Sequence, residues 1–355
     1  MQNLLRIAAV ALFAALAPSA FAAPAKFILD QDFTGPGGSD LQPILLFLDN
    51  PDAELLGLTG VTGDDWANKG VAHALRFLEI AGHPEVPVYR GASYPLLNTP
   101  ERMARWEAAY GPISWKGAWN DAEKNGPTAT FDPLAVPDLP EGNPTTAPQA
   151  QSAVDFLVEQ VNKHPGEITI VAGGPLTNIA LAVRQDPTFA ANVKSVVISN
   201  GPQADFDPAS GKPTSTDAFN TVFDPEAAQI VLTAGFPSIV VTGHINTTVN
   251  VDQALIDDIA KVGTPLSDYL ATNAWKDLPL WDEIIAAVAI DPTLITRSAT
   301  VDAAIDLSFG RSLGQMLAYG PDTNPGIGTG PVAIALDFDK ARFRDMFLAA
   351  VARLK

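Results

Sequence analysis

The chain predicts an α/β fold, a single domain on a mostly parallel central sheet flanked by helices and Rossmann-related in its layering. Three observations carry that expectation. Short apolar runs alternate with longer helix-like stretches along nearly the whole chain, the pattern of strand–helix–strand units with crossover connections. The strand-like runs end in clusters of Asp, Gly and Asn, as strands do at the ligand-binding edge of an open sheet. With 355 residues, 47% of them hydrophobic, the chain has material for a large core.

Residues 26–40, Lys-Phe-Ile-Leu-Asp-Gln-Asp-Phe-Thr-Gly-Pro-Gly-Gly-Ser-Asp, are the stretch around which the rest is organised. The apolar run Phe27-Ile28-Leu29 ends in Asp30 and Asp32, which alternation along a strand points the same way. Asp40 follows a Gly/Pro-rich loop and opens a helix-like stretch at 41–48. Asp30, Asp32 and Asp40 gathered at one strand end repel each other, and a hard cation is the simplest counter-charge. Turn and capping roles suit the same residues equally well.

A second strand is expected at 53–61, ending in Thr62-Gly63-Asp64-Asp65, which can cap a helix at 66–81; a short third strand follows at 86–89. Residues 92–147 break the rhythm, being rich in Pro and Gly and carrying Trp106, Trp115 and Trp119. Such an insertion either orders itself near a site or packs as a surface excursion. Regular structure resumes with a helix at 149–163 and a strand at 168–172 running into Gly173-Gly174-Pro175-Leu176-Thr177-Asn178, then a helix to Arg184. A strand at 193–199 ends in Asn200, and Asp224-Pro225-Glu226 opens a helix with Pro at its first position. Then come a strand at 238–242, helices at 264–276 and 282–290, an edge strand at 299–307, a last strand at 332–336 and a last helix at 339–354. There is no internal repeat and no linker dividing the chain.

Composition excludes several classes. A formal net charge of −18 argues against nucleic acid as partner. Without Cys there are no disulfides, thiolate nucleophiles or Cys-ligated metals. Residues 1–22 read as a signal peptide, with Arg6, an apolar core at 7–16 and Ala20-Phe21-Ala22 before Ala23, so a periplasmic or secreted protein is expected, with no membrane attachment after cleavage. The four histidines form no cluster in sequence, and Gly35-Pro36-Gly37-Gly38 lacks the Lys-Ser/Thr of a phosphate loop.

Polar groups thus stand at several strand ends, namely Asp30, Asp32, Asp64, Thr177 and Asn200, and Asp282 opens a later helix. An oxygen-only set of this kind suits Ca²⁺ better than Zn²⁺. Six stretches in this order resemble the inosine–uridine-preferring nucleoside hydrolases: 28–32, 51–59, 86–91, 174–180, Phe219-Asn220 with 224–228, and Trp281-Asp282 with Asp291-Pro292. The resemblance covers nearly all of the chain after residue 22. It implies a nucleoside hydrolase-like fold over 23–355 and hydrolysis of the N-glycosidic bond of ribonucleosides or a related N-riboside. It implies Ca²⁺ held by Asp32, Asp40 and Asp282 and by the Thr177 carbonyl, and Asp32 as the base that takes a proton from water. Asp30 would orient the site from behind, Phe219 and Asn220 would contact the ribose, and a homo-oligomer is a further implication.

The departures bear on the sugar. Family members usually carry two adjacent aspartates where this chain has Ser39-Asp40, and the first grips a ribose hydroxyl. Asp64 replaces an Asn, Ala218 replaces a Glu with Asp217 beside it, and Trp281 replaces a His that serves as proton donor in purine-using members. Trp281 can stack on a base instead. Ser39, Asp64, Asn200, Asp217, Phe219, Asn220 and Trp281 are therefore the expected substrate-binding residues. A non-catalytic, Ca²⁺-dependent nucleoside or sugar binder is the alternative reading.

Overall fold

The computed structural model describes residues 23–113, 115–120, 132–200, 219–320 and 322–354. The signal-like residues 1–22, together with Asp217 and Ala218, lie outside them. One nine-stranded sheet runs through the molecule in the order β3-β2-β1-β4-β5-β6-β9-β7-β8. The strands are β1 Ala25–Gln31, β2 Ala53–Gly60, β3 Val88–Arg90, β4 Ile168–Ala172, β5 Ser195–Ile198, β6 Ile239–Val241, β7 Ile295–Ile305, β8 Met316–Tyr319 and β9 Gly330–Phe338. Strands β1 to β6 and β9 pair in parallel, and β7 is antiparallel to both β9 and β8. The mostly parallel α/β sheet expected from the strand–helix alternation is what forms.

Alternation along the parallel strands sorts the apolar side chains into two cores. Phe27, Leu29, Val171 and Val197 face one, with the helices Pro43–Phe47, Ala67–Ile80, Trp281–Ile290 and Lys340–Arg353. Ile28, Ile170, Val196 and Ile198 face the other, with the helices Ala153–Lys163, Thr177–Gln185 and Pro225–Thr233. Burial on both faces explains why these strands read as continuous apolar runs.

Local signals set the helix starts. Thr62 accepts from the Ala67 N–H and Asp65 from the Trp66 N–H, as the Thr62-Gly63-Asp64-Asp65 run predicts. Asp224 accepts from the Ala227 N–H ahead of Pro225. Three expectations need correction. The insertion at 92–147 is not wholly irregular, since Pro100–Tyr110 is a helix capped by Thr99. The 299–307 run falls in β7 as far as Ile305, and β7 is interior because the short β8 covers it. The segment at 264–276 is helical only over Pro265–Thr272.

Strand order places the chain reversal between β1 and β4, where ligands collect in open α/β sheets. The loop after β1 is docked on the helix Pro265–Thr272 and on the segment that follows it. The Gly37 N–H donates to the Tyr269 hydroxyl at 2.8 Å, and Gly38, at φ +81°, lies so close to the Trp275 ring that a Cβ would sit 2.3 Å from it. Gly38→Ala combines a left-handed backbone with that clash. Urea unfolding of this variant should show a loss of more than about 1 kcal/mol relative to wild type, and an unchanged midpoint would mean the loop is not held against Trp275.

Candidate active site at the β1–β4 edge

Asp32 leaves the end of β1 and is 3% exposed. Its Oδ2 accepts from the Asp64 N–H at 2.8 Å. The turns after β2 and β4 close on it from both sides: a Cβ at Gly63 would lie 2.1 Å from Oδ2 and one at Gly174 2.7 Å from Oδ1. No larger residue fits at either turn without displacing the carboxylate. Asp40, at the end of the loop, is 4% exposed, and its Oδ2 is buried without a hydrogen-bond partner. Asp282, in the first turn of the helix Trp281–Ile290, accepts from Gln31 Nε2 at 2.6 Å. Gln31 is the last residue of β1, so the strand presents a carboxylate and an amide to the site in succession.

These groups feel one another. Burial raises the Asp32 carboxyl well above its ordinary range, and the charges of Asp64 and Asp282 raise it further. Burial does the same for Asp40, followed by Asp64, Asp32 and Asp282. Asp282 is pushed up to about 7, chiefly by burial and partly by Asp64, against the hydrogen bond from Gln31. Asp64, half-buried, is pushed up to about 6 by burial, against a hydrogen bond of 2.5 Å from Trp115 Nε1. Asp32, Asp40 and Asp282, far apart in sequence, are therefore brought together, and Asp64 joins them.

A hard cation fits this set in chemistry. All the donors are oxygens, they repel each other without a counter-charge, and a buried carboxylate oxygen of Asp40 is left over. Among the described residues no group of three or more His, Asp or Glu side chains stands close enough together to hold a metal ion as it is placed; the acids form a loose cup that a cation would have to draw together. Thr177 opens the helix Thr177–Gln185, and its hydroxyl donates to Asp224 at 2.6 Å. In the turn just before it, the Gly173 carbonyl accepts from the Asn220 amide.

The remaining residues divide. Asn200 is 1% exposed, and among the described residues both its amide atoms and Asn220 Oδ1 have no hydrogen-bond partner. Phe219 packs on Phe223 and against Gly117. Trp281, half-buried, opens the helix that carries Asp282. Asp30 turns away from the cup, with Oδ1 accepting from Thr59 at 2.5 Å and from Asn178 at 2.7 Å, which fastens β1 to β2 and to the helix Thr177–Gln185. Ser39 donates to Glu283 at 2.6 Å and accepts from the Asp282 N–H at 3.0 Å.

Sequence reasoning missed three contributors. Glu283 is fully buried beside the cup and pushed up to about 8 by burial. Trp115 brings the insertion directly onto Asp64, and Ala118 N–H donates to the Gly63 carbonyl at 2.8 Å. His73, wholly buried, sits beneath Gly35 and bonds Glu141 at 2.5 Å. Only Trp115 left a signal, as a tryptophan among polar residues. Gly310-Arg311-Ser312-Leu313-Gly314 has the spacing of a serine-hydrolase elbow, but it lies between β7 and β8 with the Ser312 hydroxyl bonded to Asp306. It is a strand-to-strand turn, not a strand-to-helix elbow.

A sequence profile described as inosine-uridine preferring nucleoside hydrolase matches residues 27–345. Uridine nucleosidase 1 of Arabidopsis thaliana is 32% identical over 332 residues, covering 88% of this chain and 89% of the relative. Among solved structures, the plant nucleoside hydrolase PpNRh1 matches at TM-score 0.71 and 27% identity, covering 93% of this chain and 99% of that one. A purine-preferring ribonucleoside hydrolase from Gardnerella vaginalis matches in fold at TM-score 0.72 and 24% identity, covering 93% and 98%.

The buried acids set a pH dependence. A carboxyl whose folded pKa lies above its unfolded value binds a proton the unfolded chain releases, so stability falls as pH rises through the folded value. Asp30 and Asp64 near 6, Asp282 near 7 and Glu283 near 8 define that window. In chelator, the melting temperature should fall as the pH rises from about 6 to about 8; scanning calorimetry checks this, and a rise across the window would contradict it.

Proposed function

The chain belongs to the inosine-uridine preferring nucleoside hydrolase family, whose members are N-glycosyl hydrolases, and we propose that it cleaves ribonucleosides to base and ribose with Ca²⁺ bound in the acidic cup. The observation that carries this reading is the gathering of four mutually repelling acids, Asp32, Asp40, Asp64 and Asp282, at the β1–β4 edge beside the unpartnered amide of Asn200.

Asp32, Asp40 and Asp282 would hold the ion through carboxylates, with the Thr177 carbonyl in the turn after β4. When bound, Ca²⁺ supplies a counter-charge and Lewis acidity. Asp32 is the general base. Burial beside like charge raises its proton affinity, and the Asp64 N–H holds one of its oxygens so that the other faces the reacting centre. The anomeric carbon becomes oxocarbenium-like as the base departs, and the cup's negative charge stabilises it. Asn200 and Asn220 offer free amide atoms to sugar hydroxyls. Asp64 accepts further hydroxyls while Trp115 holds its other oxygen. Trp115, 44% exposed beside the cup, and Trp281 offer aromatic faces to the base.

The name of the Arabidopsis relative makes uridine the first substrate to try. Purified protein incubated with a panel of nucleosides should release reducing sugar, lose that activity in chelator and regain it with added Ca²⁺. Asp32→Ala should lower kcat by about 10²–10⁴-fold with the fold retained by circular dichroism. Release that persists in Asp32→Ala would remove Asp32 as base, and no release from any nucleoside would favour a binding protein.

Residues 1–22 we propose to be an export signal. N-terminal sequencing of protein from the culture medium or periplasm should begin at Ala23; a chain beginning at Met1 in the cytoplasm would refute export.

A further inference from the structure

Two of the proposed cation ligands, Asp40 and Asp282, come from segments more than two hundred residues apart. The residues next to them join those segments. Ser39 Oγ donates to Glu283 Oε2 at 2.6 Å and accepts from the Asp282 N–H at 3.0 Å. Ser39 is 3% exposed and Glu283 fully buried. The helix Trp281–Ile290 has no side-chain cap from its own N-cap residue, Leu280. Ser39 reaches across the fold to take up one of that helix's first-turn N–H groups, which would otherwise lack a partner.

An acid buried next to Asp282 costs free energy, through desolvation and like charge if it is ionised and through the proton it must hold if it is not. Its other oxygen, Oε1, has no hydrogen-bond partner, and the proposed reaction has no use for it. What Glu283 does have is a short bond to the residue preceding Asp40. The loop's other fastenings lead the same way, from the Gly37 N–H to Tyr269 and from Gly38 to Trp275.

Resting on the calcium reading above, we propose that Glu283 is a positioning residue which, through Ser39 Oγ, straps the β1 loop to the start of the helix Trp281–Ile290 and so fixes Asp40 and Asp282 relative to each other. It touches neither sugar nor ion. Remove the hydroxyl and the two acids, which repel, are free to separate; the cup then has to be reassembled at the expense of cation affinity.

Titration calorimetry with Ca²⁺ alone reads the affinity, and hydrogen exchange of peptides spanning 280–286 in chelator reads the strap without any cation. Ser39→Ala should weaken Ca²⁺ binding on the order of tenfold, the equivalent of one buried hydrogen bond, and speed exchange at the Asp282 amide. Glu283→Ala should do the same. Glu283→Gln keeps an acceptor for Ser39 and should bind within about twofold of wild type. The double variant Ser39→Ala/Glu283→Ala should be no weaker than the worse single variant, because both remove one coupled unit. If Glu283→Ala does not fold, Ser39→Ala and Glu283→Gln decide between them. Ser39→Ala with wild-type affinity and wild-type exchange would overturn the strap, as would a Gln variant as weak as Ser39→Ala. A wild-type protein that takes up no Ca²⁺ would instead overturn the calcium reading, and the exchange comparison would still judge the strap.

Discussion

Like-charge repulsion between buried carboxylates is the constraint on which the rest of this structure depends. Burial raises the proton affinity of Asp32, Asp40, Asp64 and Asp282; the charges of Asp64 and Asp282 add to it at Asp32, those of Asp64, Asp32 and Asp282 at Asp40, and that of Asp64 at Asp282. A fold tolerates that cost only where the packing around the acids over-determines their positions. The turns at Gly63 and Gly174 leave Asp32 no room to turn away. Gln31 holds Asp282, and Ser39 holds the helix start that carries it. Such a site is poised for a positive charge, whether a cation or the charge that develops on a sugar as its base leaves.

The sheet explains how these residues meet. Each acid or amide stands at or just beyond the carboxyl end of a parallel strand, or at the start of a helix packed against those strands. The reversal of chain order between β1 and β4 opens the crevice. Asp30, one strand period before Asp32, lies within the body of the sheet, where Thr59 and Asn178 donate to it and tie β1 to its neighbours. The insertion adds a wall, with Trp115 on Asp64 and the backbone of Ala118 on Gly63.

Much of this was legible in the residues. Alternation of apolar runs and helical stretches marked the parallel sheet; Asp32 stood out at the end of an apolar strand, while Asp40 and Asp282, each at a helix start, were singled out as ligands by the family resemblance. The rest failed for identifiable reasons. The bond from Ser39 to Glu283 spans 244 residues, and no local pattern announces it. The bond from the Asn220 amide to the Gly173 carbonyl likewise joins residues 47 apart, with no local signal to mark it. The helix Pro100–Tyr110 did carry a start signal, Thr99-Pro100-Glu101, hidden by the Pro- and Trp-rich composition around it. Strand β8, four residues long, is too short for alternation to show.

The central claim is that these acids surround one divalent ion. A crystal structure of protein grown with Ca²⁺, with anomalous difference maps, tests it most directly. The account predicts one strong peak with carboxylate oxygens of Asp32, Asp40 and Asp282 at about 2.3–2.6 Å. A map in which no peak lies among those three residues, or in which the ion is bound elsewhere while substrate occupies the β1–β4 edge, would contradict it.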